Sequence, residues 1–354
     1  MTASPFIAVR KAPAVFDARR LCPPIPTVAG VTNRPFTAAL LTACLLALAA
    51  CGASSSPSKV RSATVLLDWT ANPAHSGILT ALAKGLDRKQ SVAVTLRTPS
   101  SSADGVRLLL ANRADLAVMD IHDLAIARER GRDLVGVMSI VGHPLAAVIA
   151  SPQIKRPRDL AGRDVAVTGV PSDAAVTKAI IQGDGGDPSK VTLRNTGFGA
   201  VAALLGGRTS AAIGFFNEEG VAVTTKHPGY HVFRLDQFGS PAYPELVLVT
   251  TRQKLDSDSA LVASVVRAFI AGTEEAEADP AQAALIVRRK IGSGDPTLFP
   301  ARMKAALAAI LPPDGSAGSL DLKLLAQWAT WEITSGLVTS KPDVNAAFDA
   351  RFLN

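Results

Sequence analysis

Residues 106–118, VRLLLANRADLAV, have an echo at residues 200–214, AVAALLGGRTSAAIG. Each stretch reads as the end of an amphipathic helix, a turn carrying a basic residue (Arg113, Arg208), and a short apolar strand. Working outward from the first copy, residues 63–67 and 92–96 are apolar, β-branched runs of strand length. Helix-period stretches follow them at 77–86 and 106–112, and another lies at 122–130. Around the second copy the same cadence recurs, with a strand at 164–168, a turn at 169–173 and a helix to about 182. Strands alternating with helices predict α/β layers in which helices cover parallel strands. The repetition predicts two lobes. Pro152 and Pro157 mark entry to the second, and residues 247–250 read as a strand returning to the first. The expected division is 62–150 plus 248–354 for lobe 1 and 151–247 for lobe 2. From Ser257 onward the pattern is helical, with Trp328 and Trp331 as apolar anchors. Ligands in α/β sheets sit beyond the carboxyl ends of strands, so the loops after residues 67, 118, 168 and 214 should face one cleft.

Composition narrows the classes. The chain has 354 residues, 48% hydrophobic and only 5% aromatic, which suits a large aliphatic core. Arg10, Lys11, Arg19, Arg20 and Arg34 face one acid, Asp17, in the first 50 residues. Without those five bases and that acid, the formal +7 falls to +3. No dense basic run remains, which speaks against nucleic-acid binding. Cys22, Cys44 and Cys51 are the only cysteines, so residues 52–354 can form no disulfide and no thiolate metal site.

Residues 36–50, FTAALLTACLLALAA, make an apolar run of 15 behind Arg34. A comfortable membrane span needs about 20 residues, whereas this length fits a secretory leader. Leu48-Ala49-Ala50-Cys51-Gly52 resembles a bacterial lipobox, which implies lipid on Cys51 as the first mature residue. The Ser- and Pro-rich stretch behind it, to residue 61, has the composition of a flexible tether. Residues 1–30 sit awkwardly ahead of such a leader, and initiation at Val31 would give it a normal length. The expected location is the outer face of the cell membrane.

Residues 66–77, LLDWTANPAHSG, resemble the opening motif of periplasmic-type binding proteins related to thiamine-pyrimidine synthases. Matching segments follow in order: ADLAV at 114–118, IVGHPL at 140–145, GVPS at 169–172, NTGF at 195–198, GFFNEE at 214–219 and GSPAYPEL at 239–246. The resemblance covers about residues 62–354. It implies a type II periplasmic-binding-protein fold, with two lobes that close on a ligand about a hinge. It further implies a receptor for a membrane importer, monomeric, without cofactor, working with permease and ATPase subunits. A thiamine pyrimidine precursor is the ligand it suggests first; relatives that bind sulfonates leave a second option.

The residues allow a pyrimidine site. Trp69 lies just past a buried strand, where its ring can stack on a flat heterocycle or simply cap the core. Asn72 can donate and accept, or serve as a turn residue before Pro73. His75 can bond a ligand or its own backbone. Asn217 and Glu219 follow the last strand of the echo, where a carboxylate suits an aminopyrimidine. Tyr243, between two prolines, is a candidate second stacking face or a piece of the hinge. Ser172 opens a helix whose N–H groups suit an anion, although helix capping is the commoner use.

Synthases of the same family are the rival class. In them a histidine at the position of His75 is consumed to build the product, and a cysteine-rich, iron-associated run matches residues 239–246. Here that run contains no cysteine. Nucleotide-binding loops, His/Cys metal spacing and the nucleophile elbow G-x-S-x-G are also missing from the sequence.

Overall fold

The structure is a computed structural model that describes residues 60–101, 103–292 and 295–353. The expected leader, Cys51 and the tether up to residue 59 lie outside the described residues. The first strand, β1 (Arg61–Leu66), starts within the last residue assigned to that tether.

Two five-stranded sheets are present. The first has the order β2 (Val92–Arg97), β1, β3 (Leu116–Asp120), β10 (Leu246–Thr251), β4 (Leu134–Val141). The second runs β7 (Thr192–Asn195), β6 (Asp164–Val167), β8 (Ala211–Phe215), β5 (Ala146–Ala150), β9 (His231–Arg234). The first three strands in each order pair in parallel, as the βα cadence predicts. The fourth in each is antiparallel, β10 beside β3 and β5 beside β8. A purely parallel sheet is therefore not what forms. The antiparallel strand arrives from the other lobe and so enters its sheet from the opposite end.

The same crossings move the lobe boundaries. β5 belongs to the second sheet, although residues 146–150 were expected in lobe 1. β10 carries Leu246 and Val247 into the first sheet, although 247 was expected to close lobe 2. The chain thus changes lobe at residues 142–145 and 235–245. Apolar continuity misled the reading: β4 and β5 are buried at every residue, and so is β10. Such fully buried strands look alike in sequence whichever sheet they join.

Helices cover the sheets. The long helix Arg252–Ala278 bends at Asp258, whose φ of −151° is non-helical. Its far part packs on the helix Ser76–Ala83 through two glycines. A Cβ on Gly272 would stand 2.3 Å from the Gly77 carbonyl oxygen and 2.5 Å from the Ala81 Cβ. A Cβ on Gly77 would meet Thr273 Oγ1 at 2.2 Å. Both glycines exist for close helix approach. No described helix is long and apolar enough to cross a membrane.

The lobes also touch away from the crossings. Arg302, on the helix Phe299–Ile310 packed against the first lobe, pairs with Glu218 of the second at 2.9 Å, and its Nε donates to the Glu218 carbonyl at 3.3 Å. Burial, which outweighs Arg302, pushes the Glu218 carboxyl up to about 7.

Two outcomes follow from this packing. Gly272→Ala should lower stability by about 1–3 kcal/mol, the usual cost of overpacking, in denaturant melts; an unchanged midpoint would show that the helices can part freely. Glu218 holds its proton in the folded state between its ordinary value of 4.5 and about 7. The cost of ionising it therefore appears as pH rises through that window. Glu218→Gln should gain melting temperature relative to the parent between pH 5 and pH 8, and a difference flat across that range would refute the assignment.

Candidate functional site

A cleft of about 750 Å³ opens between the lobes at the carboxyl ends of the strands, within the size range of small-molecule sites. Asp68 and Trp69 reach it from the loop after β1, Asp120 from the end of β3, Ser172 from the start of the helix after β6, and Glu219 from the turn after β8. Phe198 faces it from the second lobe, on a short turn begun by Gly197 at φ +59°. That left-handed backbone leaves Phe198 43% exposed.

Trp69 and Phe198 face each other across the opening, ring centroids 6.3 Å apart and planes 48° apart. A flat ring between two faces needs about 7 Å, two contacts of about 3.5 Å each. Widening the gap by about 1 Å and turning the rings parallel would admit one. The second aromatic face on the cleft is therefore Phe198 and not Tyr243, which is wholly buried in the hinge.

The opening motif divides its labour differently from expectation. Asn72 is a helix-capping residue: its Oδ1 accepts from the Ala74 N–H at 2.8 Å and its Nδ2 donates to the Thr70 carbonyl at 3.1 Å. His75 is fully buried, and its Nδ1 accepts from the Asn72 N–H at 3.2 Å. Nε2 therefore carries the proton and donates to Asp68 Oδ1 at 2.6 Å. Neither Asn72 nor His75 lines the cleft; His75 instead aims Asp68, which does. Asp68 is not among the residues singled out from the sequence; its place directly before Trp69 in the quoted motif is the signal that marks it.

In the second lobe, residues Phe216–Gly220 form a single π-helical turn after β8, a feature often found at functional sites. It turns Glu219 toward the cleft and Asn217 away. Glu219 Oε2 accepts from the Phe215 N–H at 3.0 Å, and burial holds its carboxyl above the usual range. Asn217 is 1% exposed and is not part of the lining; neither of its side-chain amide atoms has a partner among the described residues. Ser172 is buried, and its N–H donates to Asp123 Oδ1, from the first lobe, at 3.1 Å. That amide is thus not open to an anion. Burial pushes Asp123 up to about 6, against the hydrogen bonds from Ser172.

Beneath the cleft lies a buried polar hinge. Glu245, on the second crossing, accepts from the Leu145 and Ala146 N–H groups of the first, the latter at 3.1 Å. His122 bonds Glu332 through Nδ1 and the Tyr243 hydroxyl through Nε2, at 3.1 Å for Tyr243. Burial opposes charge on His122, but Glu332 and Asp120 outweigh it and raise the imidazole to about 10. Among the described residues, Asp120, His122 and Glu245 are the one group whose donor atoms lie close enough for a metal, within 4.8 Å of one another. Both nitrogens of His122 are already engaged, so this group works as a hinge network.

Comparison with known proteins agrees with this geometry. The family described as NMT1/THI5 like matches residues 72–283. A formylaminopyrimidine-binding protein of Halalkalibacterium halodurans is 26% identical over 297 residues, 81% of this chain and 90% of that protein. A 4-amino-5-hydroxymethyl-2-methylpyrimidine phosphate synthase of Uromyces fabae is 25% identical over 231 residues, 61% of this chain and 67% of that enzyme. Among solved structures, the alkanesulfonate-binding protein SsuA of Xanthomonas axonopodis pv. citri, bound to MOPS, superposes with a TM-score of 0.66 at 15% identity. It covers 84% of this chain and 100% of its own. Two mirrored sheets, two crossings and a cleft at the strand ends make this a two-lobed periplasmic-binding-protein fold, and the chain belongs to the NMT1/THI5-like family.

Proposed function

We propose that this protein is the extracytoplasmic receptor of an ATP-driven importer. It captures an amine-bearing pyrimidine precursor of thiamine, such as 4-amino-5-hydroxymethyl-2-methylpyrimidine or its formylamino relative. The observation that carries the reading is the pairing of Trp69 and Phe198 across the cleft, with the Glu219 and Asp68 carboxylates beside them. Two rings from opposite lobes suit a flat heterocycle, and carboxylates accept from its amino group. Lobe closure about the hinge would then present the loaded receptor, as a monomer, to permease and ATPase subunits. Lipid on Cys51 would hold it at the outer face of the membrane.

The synthase reading has less support. His75 is fully buried behind Asp68, and residues 239–246 contain no thiolate for iron. Tyr243 and Glu245 of that segment serve the hinge instead.

A thermal-shift panel tests the assignment. The pyrimidine at 100 times its dissociation constant should add about 2.7 kcal/mol of stability, with no shift from thiamine, nitrate or taurine. A shift with taurine and none with any pyrimidine would reassign the ligand. Trp69→Ala and Phe198→Ala should each cost about 0.5–1.5 kcal/mol of binding. Glu219→Gln should cost about 1.5–3 kcal/mol, as expected when a charged acceptor is lost. Calorimetric titration showing parental affinity in all three variants would remove this face of the cleft from the site.

A further inference from the structure

Helix amino termini and free loop amides are the places where a two-lobed α/β cleft would hold an anion. Here the protein's own carboxylates occupy them. The N–H of Ser172, first residue of the twelve-residue helix Ser172–Gly183, is taken at 3.1 Å by Asp123 from the opposite lobe. The Thr168 and Gly169 N–H groups donate to Asp173 Oδ2 at 2.7 and 2.8 Å, and the Thr168 hydroxyl adds a third bond at 2.9 Å. On the first lobe, the N–H of His122 donates to Asp120 Oδ1 at 2.7 Å. All three acids line the cleft.

The cations around the cleft do not offset them. Arg107 is held by Asp104 at 2.5 Å and Arg302 by Glu218 at 2.9 Å. Arg130 and Arg132 also line the cleft, but they are exposed at its edge, beyond the carboxyl end of the helix Ile121–Glu129, and neither shares a hydrogen bond with the Asp123, Asp173 and Asp120 carboxylates.

We infer that the cleft selects its ligand by charge: Asp123, reaching across the lobes to the Ser172 N–H, fills the place an anionic group would take, so neutral and cationic pyrimidines enter while their phosphate esters and sulfonates are refused. The pyrimidine part rests on the function proposed above; the charge rule does not. An anion at this point would displace Asp123 from its amide and stand beside a carboxylate with no partner. Discrimination of this kind is built from repulsion as much as from attraction.

The test is calorimetric titration at pH 7.5 and fixed salt, using the pyrimidine alcohol, its phosphate ester, taurine and benzenesulfonate. The parent should bind the alcohol and none of the three anions, with a margin of roughly a hundredfold for the phosphate ester, the size expected for apposed like charges. Asp123→Asn keeps an oxygen for the Ser172 N–H but loses the charge, and should admit at least one anion with about a tenfold or larger gain. Should that variant not fold, Asp173→Asn is measured by the same criterion. Failure of the alcohol to bind would count against the pyrimidine reading alone. Any anion bound by the parent, on Arg130 and Arg132 or elsewhere, overturns the charge rule, and so does unchanged exclusion in a folded variant.

Discussion

The two passages of the chain between the sheets are bound to each other by one side chain. Glu245, on the second passage, accepts the Leu145 and Ala146 amides of the first. Those amides stand at the entry to β5, and a buried N–H without a partner costs about 1–3 kcal/mol. Glu245 satisfies both and holds the passages side by side. The cleft above depends on this joint, because its walls keep their spacing only while the passages stay in register.

The joint is polar and sealed. His122, Tyr243 and Glu332 are all 0% exposed, and the charge on His122 is set by Glu332 and Asp120. Removing one member of a buried ion pair strands the other at about 3–5 kcal/mol, so such a network tolerates few arrangements. That rigidity would suit the proposed receptor, whose lobes would move as bodies about a narrow hinge. Asp120 belongs both to this network and to the cleft lining, so the floor of the site and the hinge share a side chain. The Asp123 contact to Ser172 and the Arg302 contact to Glu218 cross the cleft at separate places. The lobes are thus joined across the cleft by polar bonds as well as by the facing rings.

Much of this was legible in the chain. The repeated helix, turn and strand at 106–118 and 200–214 announced two lobes, and strand-end loops located the cleft. Trp69, Ser172 and Glu219 do lie on its lining, although the Ser172 N–H is taken by Asp123. Four other candidates, Asn72, His75, Asn217 and Tyr243, do not. In Asn72, His75 and Tyr243 the groups a ligand would want serve capping, aiming or hinge packing because a protein partner is nearer, whereas Asn217 is simply turned away from the cleft and buried. Phe198 stood in the quoted NTGF segment without being singled out. Its signal, an aromatic flanked by Gly197 and Gly199, was visible but ambiguous.

The sequence by itself determined the α/β class, the doubled unit, the family and the chemical inventory of the loops, because these follow from local periodicity and short motifs. Only the tertiary structure decided which lobe received β5 and β10, since a fully apolar strand fits either sheet. It alone decided which polar groups remained for a ligand, because their competitors lie far away along the chain. Tyr243 meets His122 from 121 residues off and Glu332 meets it from 210. Hydrogen-bond partners at that range are set by how the lobes pack, and no local pattern encodes them.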